Sequence, residues 1–263
     1  MASEDVVRRY DYKGDAKRVY DVILAGGVAI CPATIGYGII TSDPRKLEKI
    51  FLTKQRNATK RHAMVGSYPV HRVLQVVDKL GREIVDHLVL DLDLPLAVIA
   101  PFNRDHPMFK KLDDVTMDAA SVNGTIAILI NAGPFQDELT KLSLADNQPI
   151  LGSSANISQT GTKYRREDVQ PELNAIADIS LDYGLLKYNR YARSSTMIDF
   201  SGPKPEIVRI GACYEIIKDA LWRHWKIETP EDPGLEANPF GHLKHQKPLA
   251  SLEKLIATPK IAA

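Results

Sequence analysis

The chain has 263 residues, of which 44% are hydrophobic and 25% charged, and its formal net charge at pH 7 is +1. This composition is typical of a globular protein with one substantial core, and the near-neutral charge excludes a global attraction to nucleic acid or to an anionic membrane. The sequence shows no secretory signal and no apolar run of bilayer length, and it has only two cysteines, Cys31 and Cys213, so we expect a cytoplasmic protein that does not bind membranes.

The first predicted elements are a strand over residues 6–10, a helix, a buried strand and a second helix. Apolar residues at helical spacing predict the first helix over residues 15–24, with Asp15 as its N-cap. The apolar run VAIC at residues 28–31, stopped by Pro32, predicts the buried strand. Asp43 and Pro44 provide a cap and a first position for the second helix, which we expect to end near residue 53.

Helices and strands continue to alternate through the rest of the chain. The predicted helices cover residues 69–80, 135–145 and 214–225. The predicted strands include HLVLDL and LAVIA within residues 84–100, and the segments 125–130, 195–200 and 206–210, while residues 150–153 lead into a polar turn. This alternation predicts a mixed α/β sheet. Composition becomes polar and proline-rich near residue 229, so we expect a domain over residues 1–228 and a loosely packed C-terminal tail over residues 229–263.

Four polar segments are candidates for a binding site. They are the glycine-rich turn PATIGYG at residues 32–38, the stretch KQR at 54–56 followed by KRH at 60–62, the segment SSAN at 153–156, and SST at 194–196 with Arg209. A glycine-rich turn exposes backbone N–H groups to a ligand. Each segment also has a simpler reading, since cations at a helix C-terminus are usually a solvated pair and Ser-Ala-Asn is usually a turn.

The order and spacing of these segments resemble the YrdC/Sua5 family. That family includes the threonylcarbamoyl-adenylate synthases and the carbamoyl-adenylate-forming domains of hydrogenase-maturation and antibiotic carbamoyltransferases. The resemblance covers about residues 16–217, and its most specific elements are SSAN at 153–156 and STMID at 195–199. It implies an α/β fold with a twisted mixed sheet, flanking helices and a basic concave cavity that binds ATP.

The resemblance also assigns roles to individual residues. It implies catalytic roles for Lys54, Arg56 and Ser154. It implies that ATP is held by Lys54, Arg56, Ser154, Asn156, Ser195 and Arg209. The residues expected to contact the other substrate are Thr34, Tyr37, His62 and Ser153. Lysine and arginine suit phosphate oxygens, and adenylyl transfer depends mainly on positioning and electrostatic stabilisation. No side-chain pattern in the sequence predicts a metal site.

Departures from the family pattern fall on the amino-acid side of the implied site. Ala33 and Ile35 occupy two positions where the family has threonine, and Ala132 occupies the position of an arginine thought to grip the amino-acid carboxylate. His62 follows Arg61 where the family has Pro-Leu. A pocket that lacks these polar groups would satisfy an ammonium or a carboxylate poorly. We therefore expect an acceptor that is less polar than threonine.

The resulting prediction is an ATP-dependent enzyme that forms a carbamoyl- or acyl-adenylate on a non-threonine small molecule. It would use ATP, Mg²⁺ and bicarbonate or carbamoyl phosphate. Three alternatives stay open: threonylcarbamoyl-AMP synthesis for tRNA modification, a non-enzymatic RNA- or nucleotide-binding module, and a repurposed cavity that acts on an organic acid in secondary metabolism. RNA, including tRNA, is therefore a candidate partner, and the tail is a candidate contact between copies in an oligomer.

Overall fold

The computed structural model describes residues 9–56, 60–243 and 253. The strand predicted over residues 6–10 lies outside this part of the chain except for Arg9 and Tyr10, which form no strand. Within the described residues, no helix is both long and apolar enough to span a membrane.

A single mixed sheet of ten described strands organises the fold. Its strands are β1 (Ala29–Ala33), β2 (Gly36–Thr41), β3 (Ala63–Val65), β4 (Leu96–Pro101), β5 (Ser121–Val122), β6 (Thr125–Ile130), β7 (Leu151–Ser154), β8 (Ile179–Ser180), β9 (Thr196–Asp199) and β10 (Glu206–Arg209). The spatial order is β10-β9-β4-β6-β3-β7-β2-β1-β8, with β5 paired to β6. The pairs β1–β8, β3–β6 and β4–β9 are parallel and the others antiparallel, which confirms the predicted mixed α/β sheet.

Helices connect most of these strands. They are α1 (Tyr12–Leu24), α2 (Pro44–Thr53), α3 (Tyr68–Leu74), α4 (Lys79–Asp86), α5 (Asp114–Ala120), α6 (Pro134–Ala145), α7 (Pro171–Asn174), α8 (Tyr214–Trp225) and α9 (Gly234–Ala237). Short 3-10 turns lie at Phe109–Lys111, Arg166–Asp168 and Asn189–Tyr191. The predictions for α2, α6 and α8 are confirmed, including Asp43 as the cap of α2 and Pro44 as its first residue.

Two predicted boundaries near the N-terminus are wrong. Helix α1 begins one turn early because Asp11, and not Asp15, caps it by accepting from the backbone N–H of Gly14. Strand β1 continues through Pro32, which pairs with Tyr37 of β2. The neighbouring strand β8 pairs only with the first two residues of β1, so the missing N–H of Pro32 leaves no gap in a ladder.

Two predicted elements in the middle of the chain also differ. The helix expected over residues 69–80 is divided into α3 and α4 because Gln75 is extended and donates from its side chain to the carbonyls of Val98 and Ile126 in the sheet. The segment HLVLDL is a π-helical turn at His87–Asp91 that continues α4, and not a strand. A short apolar alternation fits either structure, and the direct continuation from α4 decides it.

Three hydrophobic clusters hold helices on both faces of the sheet. The largest joins β3, β4, β6 and β9 to α3, α4 and α8. A second packs α1 and α6 against β1, and a third lies around Tyr37. Helix α2 contributes Leu47 to the largest cluster and Ile50 to the third. This double anchoring fixes the C-terminus of α2 against the sheet, where the candidate site begins.

The first part of the tail packs on the domain. Leu243 donates its backbone N–H to the carbonyl of Val208, and His242 forms a β-bridge with Arg209. Gly241 lies so close to Ile210 that a Cβ there would meet its carbonyl oxygen at 1.8 Å. Residues 241–243 therefore pair with the free side of β10. The remainder of the tail, apart from residue 253, lies outside the described residues.

Candidate functional site

The site begins where α2 ends. Lys54 is the C-cap, Gln55 takes a left-handed conformation with φ 51°, and Arg56 donates its backbone N–H to Phe51 while Gln55 donates to Leu52. This pattern is a Schellman motif with glutamine at the position that usually holds glycine. The tight turn directs Lys54 and Arg56 toward the interior. The two cations are therefore buried, and not solvated as cations at a helix C-terminus usually are. Their side chains are only 2% and 8% exposed.

Lys54 ties α2 to the segment SSAN. Its ammonium donates to the backbone carbonyls of Ser154 and Asn156, and its own carbonyl accepts from the N–H of Ser158 at 2.9 Å. Burial lowers the pKa of Lys54 well below 10.5, and the positive charges of Arg56 and Lys60 lower it further. Two carbonyls satisfy hydrogen bonds, but they do not neutralise a buried charge.

The segment SSAN leaves the end of β7 as an ordered turn. Ser154 donates from Oγ to Oδ1 of Asn156 at 2.5 Å, and Asn156 donates from Nδ2 to the carbonyl of Ile157 at 2.7 Å. Ala155 is fully buried and donates its backbone N–H to the carbonyl of Tyr37. The structure therefore places Ser154 and Asn156 beside Lys54.

Arg209 enters the same region from β10. A register irregularity between Ile207 and Arg209 re-aims the strand, as β-bulges do. The guanidinium donates from Nε to the carbonyl of Ser195 at 2.9 Å and from Nη2 to its Oγ at 3.0 Å. Gly211 lets the chain after β10 pass close to residues 194–195, because a Cβ there would meet the Ser194 carbonyl at 2.3 Å. Solvent reaches part of Arg209, yet the surrounding protein lowers its pKa to about 10.

Lys60 connects these two halves of the site. Burial lowers its pKa, and the charges of Arg56 and Arg209 lower it further, so the three side chains lie within electrostatic reach of one another. Burial likewise lowers the pKa of Arg56 to about 10. We call Lys54, Arg56, Lys60 and Arg209 the cation cluster. Among the residues that the structure describes, no carboxylate forms an ion pair with any of the four.

His62 and Ser153 border the cation cluster on the sheet. His62 is 2% exposed, and burial together with the charges of Arg56 and Lys54 lowers its pKa well below 6.5. Its Nδ1 and the Oγ of Ser153 are buried with no hydrogen-bond partner among the described residues, as is Nε of Arg56. Three buried polar atoms without a described hydrogen-bond partner therefore lie near the cation cluster, where a bound anion could accept from Arg56 and Ser153.

Thr34 and Tyr37 lie on the β1–β2 side. Thr34 donates its backbone N–H to the carbonyl of Ala132, and its own carbonyl accepts from the N–H of Tyr188. Its Oγ1 is buried without a hydrogen-bond partner in the described part of the chain. The hydroxyl of Tyr37 contacts Asp182 and the carbonyl of Gly184, both at 3.2 Å, and accepts from a backbone N–H at residue 183. The Tyr37 hydroxyl is therefore already engaged by the loop at residues 182–184.

A separate cleft of about 240 Å³ opens beside the site. It is lined by Arg61, Phe102, Arg104, Asp118, Ser121, Val122, Asn123 and Gly124. No member of the cation cluster lines it, so the cleft adjoins the site through Arg61 and is not formed by it. Across residues 9–56 and 60–243, no three His, Cys, Asp or Glu side chains are grouped so that they would hold a metal ion.

Sequence reasoning missed three contributors. The sequence shows Lys60 only as part of a basic stretch, and its electrostatic contact with Arg56 and Arg209 is a tertiary feature. Burial raises the pKa of Tyr164 to about 12, and the positive charge of nearby Arg209 acts against that rise. Phe240 of the tail lies under the Lys60 ammonium, 6.0 Å from ring centre to Nζ. Only the basic stretch carried a sequence signal, because the other two residues reach the site through long-range packing.

Comparison with known proteins yields a family and several structural relatives. The family model Sua5_yciO_yrdC, described as telomere recombination, matches residues 21–211. A comparison with curated proteins finds no match. A hypothetical protein of Streptococcus mutans UA159 is 20% identical with a TM-score of 0.65, over 81% of this chain and 93% of that one.

Two further solved structures share the fold. Sua5 of P. abyssi, solved in complex with L-threonine, is 20% identical with a TM-score of 0.64 over 85% of this chain, and this chain spans 61% of its length. YciO of E. coli is 18% identical with a TM-score of 0.57, over 76% of this chain and 90% of that one. At these identities the similarity establishes the twisted mixed α/β fold, as the sequence resemblance predicted.

Proposed function

The chain belongs to the Sua5/YciO/YrdC family, and from this premise we propose that it is an ATP-dependent enzyme resembling threonylcarbamoyl-AMP synthase. Its product would be a carbamoyl- or acyl-adenylate, and its acceptor a small molecule other than threonine. ATP and bicarbonate are the proposed co-substrates. The two buried free thiols, Cys31 and Cys213, suit the reducing cytosol, where we place the activity.

The observation that carries this proposal is the cation cluster without carboxylate partners. Moving a charged group out of water costs roughly several kcal/mol even after the protein relaxes, so such groups are normally paired. Repulsion within the cation cluster adds to that cost, as the lowered pKa values of Lys54 and Lys60 show. A polyphosphate would supply the missing negative charge and accept hydrogen bonds from both lysine and arginine.

The proposed chemistry needs mainly electrostatic help. An oxygen of the carbamate or acyl group attacks the α-phosphorus of ATP, a P–O bond to the β-phosphate breaks, and pyrophosphate leaves. Lys54, Arg56 and Arg209 would orient the phosphates and stabilise the charge that develops on their oxygens. Mg²⁺ would arrive with the phosphates, which supply its preferred oxygen ligands.

The packing around the glycine-rich turn supports an acceptor other than threonine. Ile35 is 5% exposed and belongs to the largest hydrophobic cluster, and Ala33 packs against that cluster. At these two positions the chain uses side chains for core packing where the family has hydroxyls. The amine and carboxylate of threonine would then lose hydrogen-bond partners on this side of the site.

Threonylcarbamoyl-AMP synthesis for tRNA modification is the second candidate. The observation in favour of it is that 85% of this chain shares its fold with a Sua5 that was solved in complex with L-threonine. Formation of the threonylcarbamoyl adenylate from L-threonine, bicarbonate and ATP by the purified protein would decide between the two. We expect a weak or absent signal with threonine and pyrophosphate release with another acceptor.

Calorimetric titration with ATP tests the proposal. Lys54→Met and Arg209→Met should each weaken ATP binding by roughly 10- to 100-fold, since a hydrogen bond to a charged group contributes about 1.5–3 kcal/mol. Lys49→Met is the matched control, because Lys49 is an exposed lysine on the same helix α2 and loses the same charge. Failure of the wild-type protein to bind any nucleotide would refute the proposal.

A further inference from the structure

The cleft that opens beside the cation cluster has a charge pattern of its own. Two arginines, Arg61 and Arg104, and one carboxylate, Asp118, lie on its walls, so the cleft carries a net positive charge. Its volume of about 240 Å³ is below the range of roughly 300–1,000 Å³ that is typical of pockets for drug-sized ligands. The cleft therefore suits a small anionic molecule.

Hydrogen bonds within the fold hold the walls of the cleft in place. The backbone N–H of His62, which follows Arg61, donates to the carbonyl of Ala119 at 2.9 Å and so joins the start of β3 to the end of α5. The hydroxyl of Ser121 donates to the carbonyl of Met117 at 2.8 Å. Phe102 is buried and forms a β-bridge with the residue that follows α3. A ligand would thus meet walls that need little further ordering.

Several polar groups of the cleft are not used by the fold. Across residues 9–56 and 60–243, the side chains of Arg104, Asp118 and Asn123 form no hydrogen bond and no ion pair. Because the Ser121 hydroxyl donates to a carbonyl, its lone pairs are what it offers to a ligand. The cleft therefore presents guanidinium and amide donors to an anion, together with carboxylate and hydroxyl acceptors for a donor on the same ligand.

Asp118 restricts which anion fits. Its negative charge acts against the burial that lowers the pKa of Arg61, so the two side chains lie within electrostatic reach of each other. A phosphate dianion would be repelled by this carboxylate, whereas a carboxylate monoanion matches the net charge of the cleft, and its two oxygens fit the paired N–H groups of a guanidinium. A ligand ammonium beside Asp118 would also face the cation of Arg61, and a neutral hydroxyl would not.

We propose that this cleft binds a small hydroxy acid. Arg104 and Arg61 hold its carboxylate, and the amide of Asn123 donates to the same group. Asp118 and the Ser121 hydroxyl accept from the hydroxyl of the ligand. An analogue without that hydroxyl would desolvate these acceptors without pairing them, so it should bind more weakly. The proposal goes beyond the nucleotide site and does not depend on it, since no member of the cation cluster lines the cleft.

Three carboxylates of one shape provide the test. 3-Hydroxybutyrate, 3-methylbutyrate and 3-aminobutyrate differ only in whether carbon 3 bears a hydroxyl, a methyl or an ammonium group. In ¹⁵N NMR titrations of the wild-type protein, shifted amide resonances should cluster at residues 102–104 and 118–124. 3-Hydroxybutyrate should bind roughly tenfold more tightly than 3-methylbutyrate and also more tightly than 3-aminobutyrate. The neutral 3-hydroxybutyramide should not bind, because it lacks the carboxylate.

Two variants assign the contacts. Arg104→Met should weaken the binding of 3-hydroxybutyrate by roughly tenfold, and Asp118→Ala should reduce the preference for 3-hydroxybutyrate over 3-methylbutyrate. Both side chains are exposed and make no hydrogen bond within the described chain, so both variants should fold. Arg45→Met is the matched control, because Arg45 is an exposed arginine of α2 that does not line the cleft.

The outcomes separate this proposal from the proposed function. It would be overturned by the absence of shifts at the cleft with every carboxylate at millimolar concentration, by equal affinity for the hydroxyl and methyl compounds, or by a preference for the ammonium compound. Wild-type affinity in Arg104→Met would also overturn it. A hydroxyl preference that falls in Asp118→Ala and persists in Arg45→Met supports it. Failure of the wild-type protein to bind ATP would refute only the nucleotide site.

Discussion

Two buried guanidiniums in this molecule, those of Arg193 and Arg56, differ in whether a carboxylate pairs with them. Arg193 donates to the carboxylate of Asp232 and to the carbonyl of Asn238, both at 2.7 Å, and so fastens the tail to the domain. Arg56 is also buried, yet the only described hydrogen bond of its guanidinium goes to the carbonyl of Arg61. We call Arg193, Asp232 and Asn238 the tail anchor.

The difference separates a structural charge from a functional one. In the tail anchor the desolvation of a buried cation is offset within the folded chain by a carboxylate and a carbonyl. In the cation cluster no described carboxylate offsets this desolvation. The folded protein therefore carries an unfavourable free energy that an anionic ligand would remove. Functional sites commonly reduce stability in this way, whereas structural pairs do not. The comparison therefore predicts opposite responses to the same substitution.

The largest effect is expected from Arg193→Met. Removing this guanidinium leaves the Asn238 carbonyl without its donor and Asp232 without its partner, so the unfolding free energy should fall by about 2 kcal/mol. That value is below the usual cost of breaking a buried pair, because Asp232 is 40% exposed. Urea denaturation measures it, with Asp232→Asn as a milder companion. An unchanged midpoint would mean that the tail anchor does not stabilise the fold.

A smaller effect of the other sign is expected from Arg56→Met. The unfolding free energy should stay level or rise by up to about 1 kcal/mol, because relief of a buried unpaired charge offsets the lost bond to Arg61. The affinity for ATP should fall by roughly 10- to 100-fold in the same variant. Urea denaturation and calorimetry on one preparation measure both quantities. Destabilisation as large as that of Arg193→Met would remove the distinction between the two arginines.

The smallest effect is a dependence of stability on pH. The pKa of Lys54 is well below 10.5 in the folded protein and has its ordinary value in the unfolded chain. Between those two pKa values the unfolded chain holds a proton that the folded protein has lost, so the unfolding free energy should rise as the pH rises through that window. Lys54→Met should remove this slope, and urea denaturation at several alkaline pH values would measure it.

Saturating ATP gives the control for that measurement. Bound phosphates favour the charged ammonium, so the pKa of Lys54 should return toward its ordinary value and the slope should shrink. Binding should then take up a proton, which calorimetry detects as a dependence on the ionisation enthalpy of the buffer. A slope that is identical in Lys54→Met and wild type would show that another group titrates.

The sequence predicted much of the fold wherever local signals were strong. Asp43-Pro44 marked the start of α2, and TIAILI marked β6 to the residue. The same reasoning failed at HLVLDL, because a short apolar alternation does not distinguish a strand from a helix that is continued from α4. It also missed the break at Gln75, whose amide binds carbonyls of two distant strands.

For the candidate site, the sequence by itself determined which residue types are present and in what order. The K-x-R stretch, SSAN and STMID, in that order, resemble one family, and such motifs are read from the sequence without any tertiary information. Only the tertiary structure brought Lys60 within electrostatic reach of Arg56 and Arg209 and buried His62 near Arg56 and Lys54. It also left the four cations without an ion-paired carboxylate among the residues that the structure describes. Those features depend on contacts between segments that lie far apart in the chain, and burial, which turns an ordinary lysine or histidine into an unusual one, arises only when those segments pack together.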